Sequence, residues 1–326
     1  MMPPSDRNAP AVTVLLPVRN GAAYLEAAIA SILRQTFTNF ELLVVDDGST
    51  DATQAILAGL ADPRVRVLRQ DPLGLVPALN RGLYEASAPL IARMDADDIA
   101  HPERLAHQEA LLAACPEVAL VGSGWRVVAP DGSTRRVVVP PASDAGLREA
   151  LGRANAIAHP TVMFRRDAVI AAGLYRPAFL LAEDYDLWFR LSERHELACL
   201  PEVLLDYREH AGQSAWRSLE QRICSEVGAQ AAHRLRLSGH PDHGDDPAPI
   251  DHARLRTMGL TDPEIAAGLI ARALGAAKDA RAAGNREAMR AAIRLGLRQP
   301  GLRLRTRTHF ALLPLLAPSP SGRGSG

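Results

Sequence analysis

Ala11-Val-Thr-Val-Leu-Leu-Pro-Val18 is a short apolar run rich in β-branched residues, closed by the polar turn Arg19-Asn20-Gly21. A run of that length and character, bounded by turn residues, predicts a buried strand. Behind it, Ala22 to Gln35 carries Leu25, Ile29, Ile32 and Leu33 at helical spacing, which predicts a helix with Asn20 as its cap. The pattern then repeats. Glu41-Leu-Leu-Val-Val-Asp46 predicts a second buried strand, Asp51 to Leu60 a second helix and Val65 to Leu68 a third strand. Leu75 to Ala86 predicts a third helix and Leu90 to Met94 a fourth strand. Strands alternating with helices at this interval imply a parallel α/β sheet with helices on its faces.

In such sheets ligands bind at the carboxyl ends of the strands. That rule gathers Pro17 to Asn20, Asp46 to Asp51 and Asp95 to Asp98 onto one shared rim, polar throughout and acidic in two of its three segments. After Asp98 the pattern changes. His101 to Ala114 and Glu183 to Arg194 read as helices; Val118 to Val121, Trp125 to Val139, Thr161 to Phe164 and Val203 to Tyr207 read as strands. Pro130-Asp131-Gly132 marks a hairpin turn. From about Ala215 onward the chain is rich in Ala and Arg with helical periodicity, broken by a loop from Gly239 to Pro249. Pro318 to Gly326 has the composition of a disordered tail. The expected division is a flexible N-terminus over 1–10, a catalytic α/β domain over 11–215, a helical region over 216–308 and a tail over 309–326.

Charge and cysteine usage narrow the class. The 37 basic and 37 acidic side chains cancel, so no global field favours nucleic acid. Cys115, Cys199 and Cys224 are far apart and form no Cys-x-x-Cys pair, which argues against a disulfide framework or a zinc ribbon and for a cytoplasmic protein. Met1 to Pro10 is polar and contains proline, unlike a signal peptide. No apolar run approaches the roughly 20 residues of a membrane-spanning helix.

Three acidic clusters carry chemistry. Asp95-Ala-Asp97-Asp98 follows a buried strand, and carboxylates so spaced can converge on a hard cation such as Mg²⁺ or Mn²⁺. A charged turn capping the helix at His101 explains the same acids without a ligand. Asp46 could accept from a uracil imide or a ribose hydroxyl, while Gly48 to Asp51 read as a tight turn and helix cap. Adjacent carboxylates at Asp46 and Asp47 repel unless donors lie near. Glu183-Asp184-Tyr-Asp186 opens a helix, where the macrodipole favours acids; three within four residues exceed what capping needs, and one could serve as a general base. The chain has no Gly-x-x-x-x-Gly-Lys, no complete dinucleotide fingerprint after Gly122-Ser-Gly124 and no His-Glu-x-x-His. His240-Pro-Asp-His243-Gly-Asp245-Asp246 holds metal-capable side chains but reads as a solvated loop.

Together these residues resemble the family 2 glycosyltransferases of the GT-A fold. The resemblance rests on Val12 to Asn20, Val44 to Asp51 and Arg93-Met-Asp95-Ala-Asp97-Asp98, with Ser31 to Thr36, Ala78-Leu-Asn80-Arg-Gly82-Leu and Pro102-Glu-Arg104-Leu between and after them. Later pieces are His159-Pro-Thr-Val-Met-Phe164, Glu183 to Trp188, and Tyr207-Arg208-Glu-His210 with Ser214. It implies a Rossmann-like, mostly parallel sheet and metal-dependent inverting transfer of a sugar from a nucleoside-diphosphate sugar, usually a UDP-sugar. It assigns donor binding to Pro17, Asn20, Asp46, Asn80, Arg93 and Asp95. Asp97 and His210 would ligate Mn²⁺ or Mg²⁺, and Asp184 would be the catalytic base. Glu183 and His159 would stand on the acceptor side. The acceptor would be a saccharide or a lipid-linked saccharide, in cell-surface polysaccharide or glycolipid synthesis. The Gln-x-x-Arg-Trp motif of the processive branch is absent, and Gln213-Ser-Ala-Trp216-Arg217 does not supply it, so single-sugar addition is favoured. A non-catalytic nucleotide-sugar binder and a sugar nucleotidyltransferase are the alternatives.

Arg286, Arg290, Arg294 and Arg298 recur every four residues, on one helical face, and Arg303, Arg305 and Arg307 extend the basic character. This region would contact the anionic inner face of the membrane, or be a solvated face of a helical bundle.

Overall fold

The computed structural model describes residues 9–210, 218–282, 284–302, 306–308, 310 and 313. The N-terminal stretch 1–8, the segment Gln213 to Arg217, Arg303, Arg305 and the tail from 314 lie outside the described residues, as do the sequence expectations placed on them.

β1 (Val12–Val18) is buried at every position, as a strand covered on both faces must be. It lies between β2 (Phe40–Asp47) and β4 (Leu90–Arg93), both parallel to it, and β3 (Val65–Gln70) lies parallel beyond β2. The connecting helices are α1 (Leu25–Leu33), α2 (Thr53–Ala58) and α3 (Leu75–Glu85). Pro17 is tolerated for a geometric reason. Met94 N donates to Leu15 O, so residue 17, on the same side as residue 15, faces β4 beyond its last paired residue, Arg93. The missing N–H removes no ladder bond there. α3 packs tightly on β1: a Cβ at Gly82 would sit 2.2 Å from Leu15 Cδ1.

Beyond β4 the sheet becomes antiparallel. β8 (Met163–Arg165) pairs with β4 and with β6 (Val118–Val128), and β5 (Ile99–Ala100) pairs with β9 (Glu196–Arg208). The order is β3-β2-β1-β4-β8-β6-β9-β5, with β7 (Thr134–Val138) returning along β6. The strands expected at Val118 to Val121 and from Trp125 are continuous through Val128; the chain then turns at Gly132, φ 86°, into β7. Helices α4 (Arg104–Ala114), α5 (Asp144–Leu151), α6 (Arg166–Ala171) and α7 (Glu183–Ser192) complete this part of the chain. The main core gathers Val12, Val14, Leu16, Leu42, Val44 and Ala92 with Leu25, Ile29 and Ile32 of α1.

The chain divides into two compact units. The first comprises Met1–Val127, Val137–Tyr175 and Arg190–Arg208; the second comprises Val128–Arg136, Arg176–Phe189 and Glu209–Gly326. The expected helical periodicity after residue 216 appears in the second as α8 (Leu219–Leu237), α9 (His252–Thr257), α10 (Asp262–Ala282) and α11 (Arg286–Leu297). Phe189 stacks on His233 at 4.3 Å between ring centroids, and Gln230 Nε2 donates to Tyr185 Oη at 3.0 Å. The loop after α8 departs from its reading as fully solvated: Asp245 is exposed, but Asp242 is only 11% exposed because it is held by arginines. No helix among the described residues is long and apolar enough to cross a membrane.

Candidate active site

The parallel register of β1, β2 and β4 brings their carboxyl ends to one edge, and the loops that leave them are laced together. Asn20 does not cap α1. Its backbone is left-handed, with φ at 54°, a conformation Asn tolerates better than most residues. Its Oδ1 accepts from Thr50 N at 2.8 Å, and its N–H donates to Ser49 Oγ at 2.9 Å. Gly21 N reaches Thr53 Oγ1 at 2.9 Å, and Ala22 N reaches Asp51 Oδ2 at 3.2 Å. Gly48 turns with φ at 69°, and a Cβ there would lie 2.8 Å from Pro72 Cδ, so the close approach needs glycine.

The two adjacent carboxylates of β2 have different surroundings. Asp47 Oδ1 accepts from Gln70 Nε2 at 2.7 Å and Leu73 N at 2.9 Å, and its Oδ2 accepts from Gly74 N at 2.9 Å. It clamps the loop entering α3. Asp46 is 1% exposed and takes one bond, from Ser49 N to Oδ1 at 3.0 Å. Among the described residues its second oxygen has no protein donor.

The third segment holds the acidic cluster. Ligand oxygens of Asp95, Asp97 and Asp98 lie within 4.8 Å of one another. Asp98 is wholly buried, while Asp95 and Asp97 are half-buried. Burial raises the Asp95 and Asp98 carboxyls above their ordinary range, Asp98 well above it; the charge of Asp97 adds to the effect in both. Arg93, 3% exposed, forms an ion pair with Asp95. Burial works against the Arg93 charge, yet Asp95 outweighs it and raises its pKa.

A second arginine lies beneath. Arg104, on α4, is fully buried. Its Nη2 donates to the carbonyls of Arg93 at 2.7 Å and Val162 at 3.1 Å, and its Nε donates to Gln108 Oε1 at 3.1 Å. Burial, reinforced by Arg93 and opposed by Asp98, pulls it down to about 9. Asp98 is not a cap for the following helix. Its Oδ1 accepts from Arg208 N at 2.9 Å, and Arg208 Nε donates to Asp97 O at 3.0 Å. Arg208 also lies over the Tyr24 ring at 4.9 Å, so it pins the acidic turn from β9. Asp98 Oδ2, though buried, has no hydrogen-bond partner among the described residues.

Two side chains expected at the donor are committed within the fold. Asn80 Nδ2 donates to Tyr175 O at 2.8 Å and its Oδ1 accepts from Tyr175 N at 3.0 Å, which occupies both ends of the amide. Arg93 is directed at Asp95. His159 is buried, with Nε2 2.8 Å from Tyr175 Oη. Burial first, then Arg93, keeps its pKa well below the usual range, so the imidazole is neutral.

The remaining candidates lie in the second unit. Glu183 is buried and Asp184 half-buried in the first turn of α7. Just before them Leu181 has φ at 66°, a strained conformation for a branched side chain and one that concentrates at functional turns. Asp186 is wholly buried against Arg176. His210 is half-buried, two residues beyond the end of β9. Arg104 and Arg208 stand in motifs the sequence displays, but nothing local reveals that one is buried behind the acids and the other bonded to them.

The family model "Glycosyl transferase family 2" matches residues 13–172. The amylovoran biosynthesis glycosyltransferase AmsE of Erwinia amylovora is 35% identical over 218 residues, covering 66% of this chain and 80% of that protein. The O-antigen biosynthesis glycosyltransferase WbnJ of Escherichia coli is 32% identical over 220 residues, covering 66% and 85%. Among solved structures, S. aureus TarS 1-349 in complex with UDP-GlcNAc has a TM-score of 0.60 at 17% identity, covering 93% of this chain and 91% of that one. The mannosyltransferase PcManGT from Pyrobaculum calidifontis, in complex with GDP-Man and Mn²⁺, has a TM-score of 0.55 at 20% identity, covering 94% and 84%. At those identities the structural likeness establishes the fold.

Proposed function

The chain belongs to the family 2 glycosyltransferases of GT-A fold, and from that premise we propose that it transfers one sugar from a UDP-sugar to an acceptor hydroxyl with inversion. The acceptor is a saccharide or lipid-linked saccharide of cell-surface polysaccharide or glycolipid synthesis, in keeping with the biosynthetic roles named for the two relatives. The observation that carries the reading is the Asp95, Asp97 and Asp98 cluster at the carboxyl edge of the parallel strands.

The residues fit a divalent cation. All three offer hard oxygen donors, suited to Mg²⁺ or Mn²⁺, and Asp98 carries a buried oxygen that no group among the described residues satisfies. Asp97 is the proposed ligand; the resemblance adds His210, and a titration of Mn²⁺ into His210→Ala tests that role. A cation bound there would offset the charge that develops on the departing diphosphate.

The chain's own groups do the rest. Asp46 directs its unpartnered oxygen to the imide N–H of the base or to a ribose hydroxyl. Pro17 and Asn20 shape the edge of the nucleoside pocket through the loop contacts above. Asp184 accepts the proton of the acceptor hydroxyl as that oxygen bonds to the anomeric carbon and the bond to the diphosphate oxygen breaks. One displacement inverts the centre. Glu183 and His159 are the acceptor-side groups. Asp184→Asn should slow transfer by about a hundredfold or more, read as nucleoside diphosphate released per sugar transferred. A near-native rate removes Asp184 as the base, and release of pyrophosphate overturns the reaction class.

The basic face of α11 supports a finer reading of the partner. Arg286, Arg290, Arg294 and Arg298 are exposed and form no ion pair among the described residues. Such a row would attract anionic lipid by roughly 1 kcal/mol per residue. Flotation with phosphatidylserine vesicles at low and high salt tests it; no binding at low salt removes it.

A further inference from the structure

The His240 to Asp246 loop has a buried member that the reaction scheme leaves unused. Asp242 Oδ2 accepts from Arg176 Nη1 at 2.8 Å and from Arg236 Nη1 at 2.5 Å, and its Oδ1 accepts from Gly244 N at 3.0 Å. Arg176 turns its other edge to α7. Its Nε donates to Asp186 Oδ2 at 3.0 Å and its Nη2 to Asp186 Oδ1 at 2.5 Å. All three guanidinium nitrogens are therefore used, two on one carboxylate and one on the other. Asp186 is wholly buried, and Arg176 and Asp242 are about one-tenth exposed.

We propose that Asp242 is a positioning residue for the transfer: through Arg176 and Asp186 it holds the first turn of α7 in the orientation that presents Asp184. The inference rests on the reading of Asp184 as base. A guanidinium is a planar fork with fixed donor directions, so anchoring Nη1 to Asp242 sets the angle at which Nε and Nη2 meet Asp186. Asp184 and Asp186 share one helical turn. That turn cannot rotate to redirect Asp184 without breaking the fork at Asp186. Leu181, at φ 66°, holds the entry to the turn in a conformation that persists only where its surroundings determine it. Buried ion networks are weak sources of net stability but can fix orientation.

Gly244 offers an independent handle. A Cβ there would fall 2.2 Å from Arg176 Cζ, so Gly244→Ala displaces the guanidinium while every charge remains. The experiment uses the full chain, with UDP and Mn²⁺ as the binding probe and turnover of the nucleotide sugar as the rate. Asp242→Asn should lower kcat tenfold or more, since small misplacements of a catalytic group cost up to about a hundredfold. Donor KM and UDP affinity should stay within about twofold, and Asp242→Glu should recover most of the rate. Gly244→Ala should reproduce the kcat loss, and it decides the matter where Asp242→Asn does not fold. Native kcat in folded Asp242→Asn or Gly244→Ala, even with a lowered Tm, overturns the proposal. Asp184→Asn is measured alongside. A native rate in that variant overturns the base reading on which the proposal rests, whereas a slow Asp184→Asn beside a native-rate Asp242→Asn overturns the positioning role alone.

Discussion

Replacing Asp46 and Asp47 by asparagine, one at a time, separates a carboxylate that serves the ligand from one that serves the fold. The residues are adjacent and both buried, yet their partners differ. An asparagine at 47 must turn its NH₂ toward at least one of the donors from Gln70, Leu73 and Gly74 that the carboxylate now accepts. One bond becomes a donor-to-donor contact, and the others lose the contribution of the charge. With charged hydrogen bonds contributing about 1.5–3 kcal/mol each, the loss is about 3 kcal/mol, or a Tm lower by roughly 6–12 °C. An asparagine at 46 keeps its single protein bond by facing its carbonyl to Ser49 N. Its NH₂ then stands where the second oxygen would have met a ligand donor. Tm should move by less than about 3 °C, while affinity for the nucleoside diphosphate should fall roughly 10- to 150-fold, the equivalent of one charged hydrogen bond. Scanning fluorimetry and titration calorimetry with UDP and Mn²⁺ read both quantities. Equal Tm losses with undiminished nucleotide affinity in Asp46→Asn would refute the assignment.

Asp97→Ala should weaken Mn²⁺ binding, followed by electron paramagnetic resonance, and slow transfer by about a hundredfold; unchanged Mn²⁺ affinity moves the cation elsewhere. Gly82→Ala should destabilise the fold by about 1–3 kcal/mol through overpacking against Leu15, and in urea unfolding the double variant with Leu15→Ala should lose less than the sum of the two single losses. Burial works to raise the Asp242 carboxyl, but Gly244 N–H, Arg176 and Arg236 outweigh it and hold it at about 2. A carboxyl depressed in the folded state stabilises above its unfolded value near 4, and that contribution is lost as pH falls through about 2. Wild type should therefore lose about 2 kcal/mol more than Asp242→Asn between pH 5 and pH 2; parallel losses would show that Asp242 is not held in this way.

Much of the fold was legible because its signals are local. The run from Val12 to Val18, buried on both faces, contains only one polar side chain, Thr13. The helix that follows keeps its apolar residues on one stripe. Periods of two and 3.6 residues are properties of the backbone itself, so alternation of strand and helix, and with it the shared rim at the strand ends, could be read from order alone. The antiparallel half was less legible. Its strands include pieces of only two and three residues, β5 and β8, and pair residues far apart in the chain, such as Ile99 with Asp206.

What each acid does was a different kind of question. Asp46 and Asp47 are indistinguishable by position; their roles separate only because donors 23 to 27 residues away reach one of them. Asp98 looked like a helix cap until Arg208, 110 residues on, took its oxygen. Asp242 sat in a loop of solvated composition until Arg176, 66 residues before it, drew it inward. The sequence by itself determined the layered α/β sheet, the rim and the family, because burial patterns and motif order are written within a few residues of one another. Tertiary structure alone decided which carboxylates are satisfied and which still face a ligand, because that depends on donors brought near by folding.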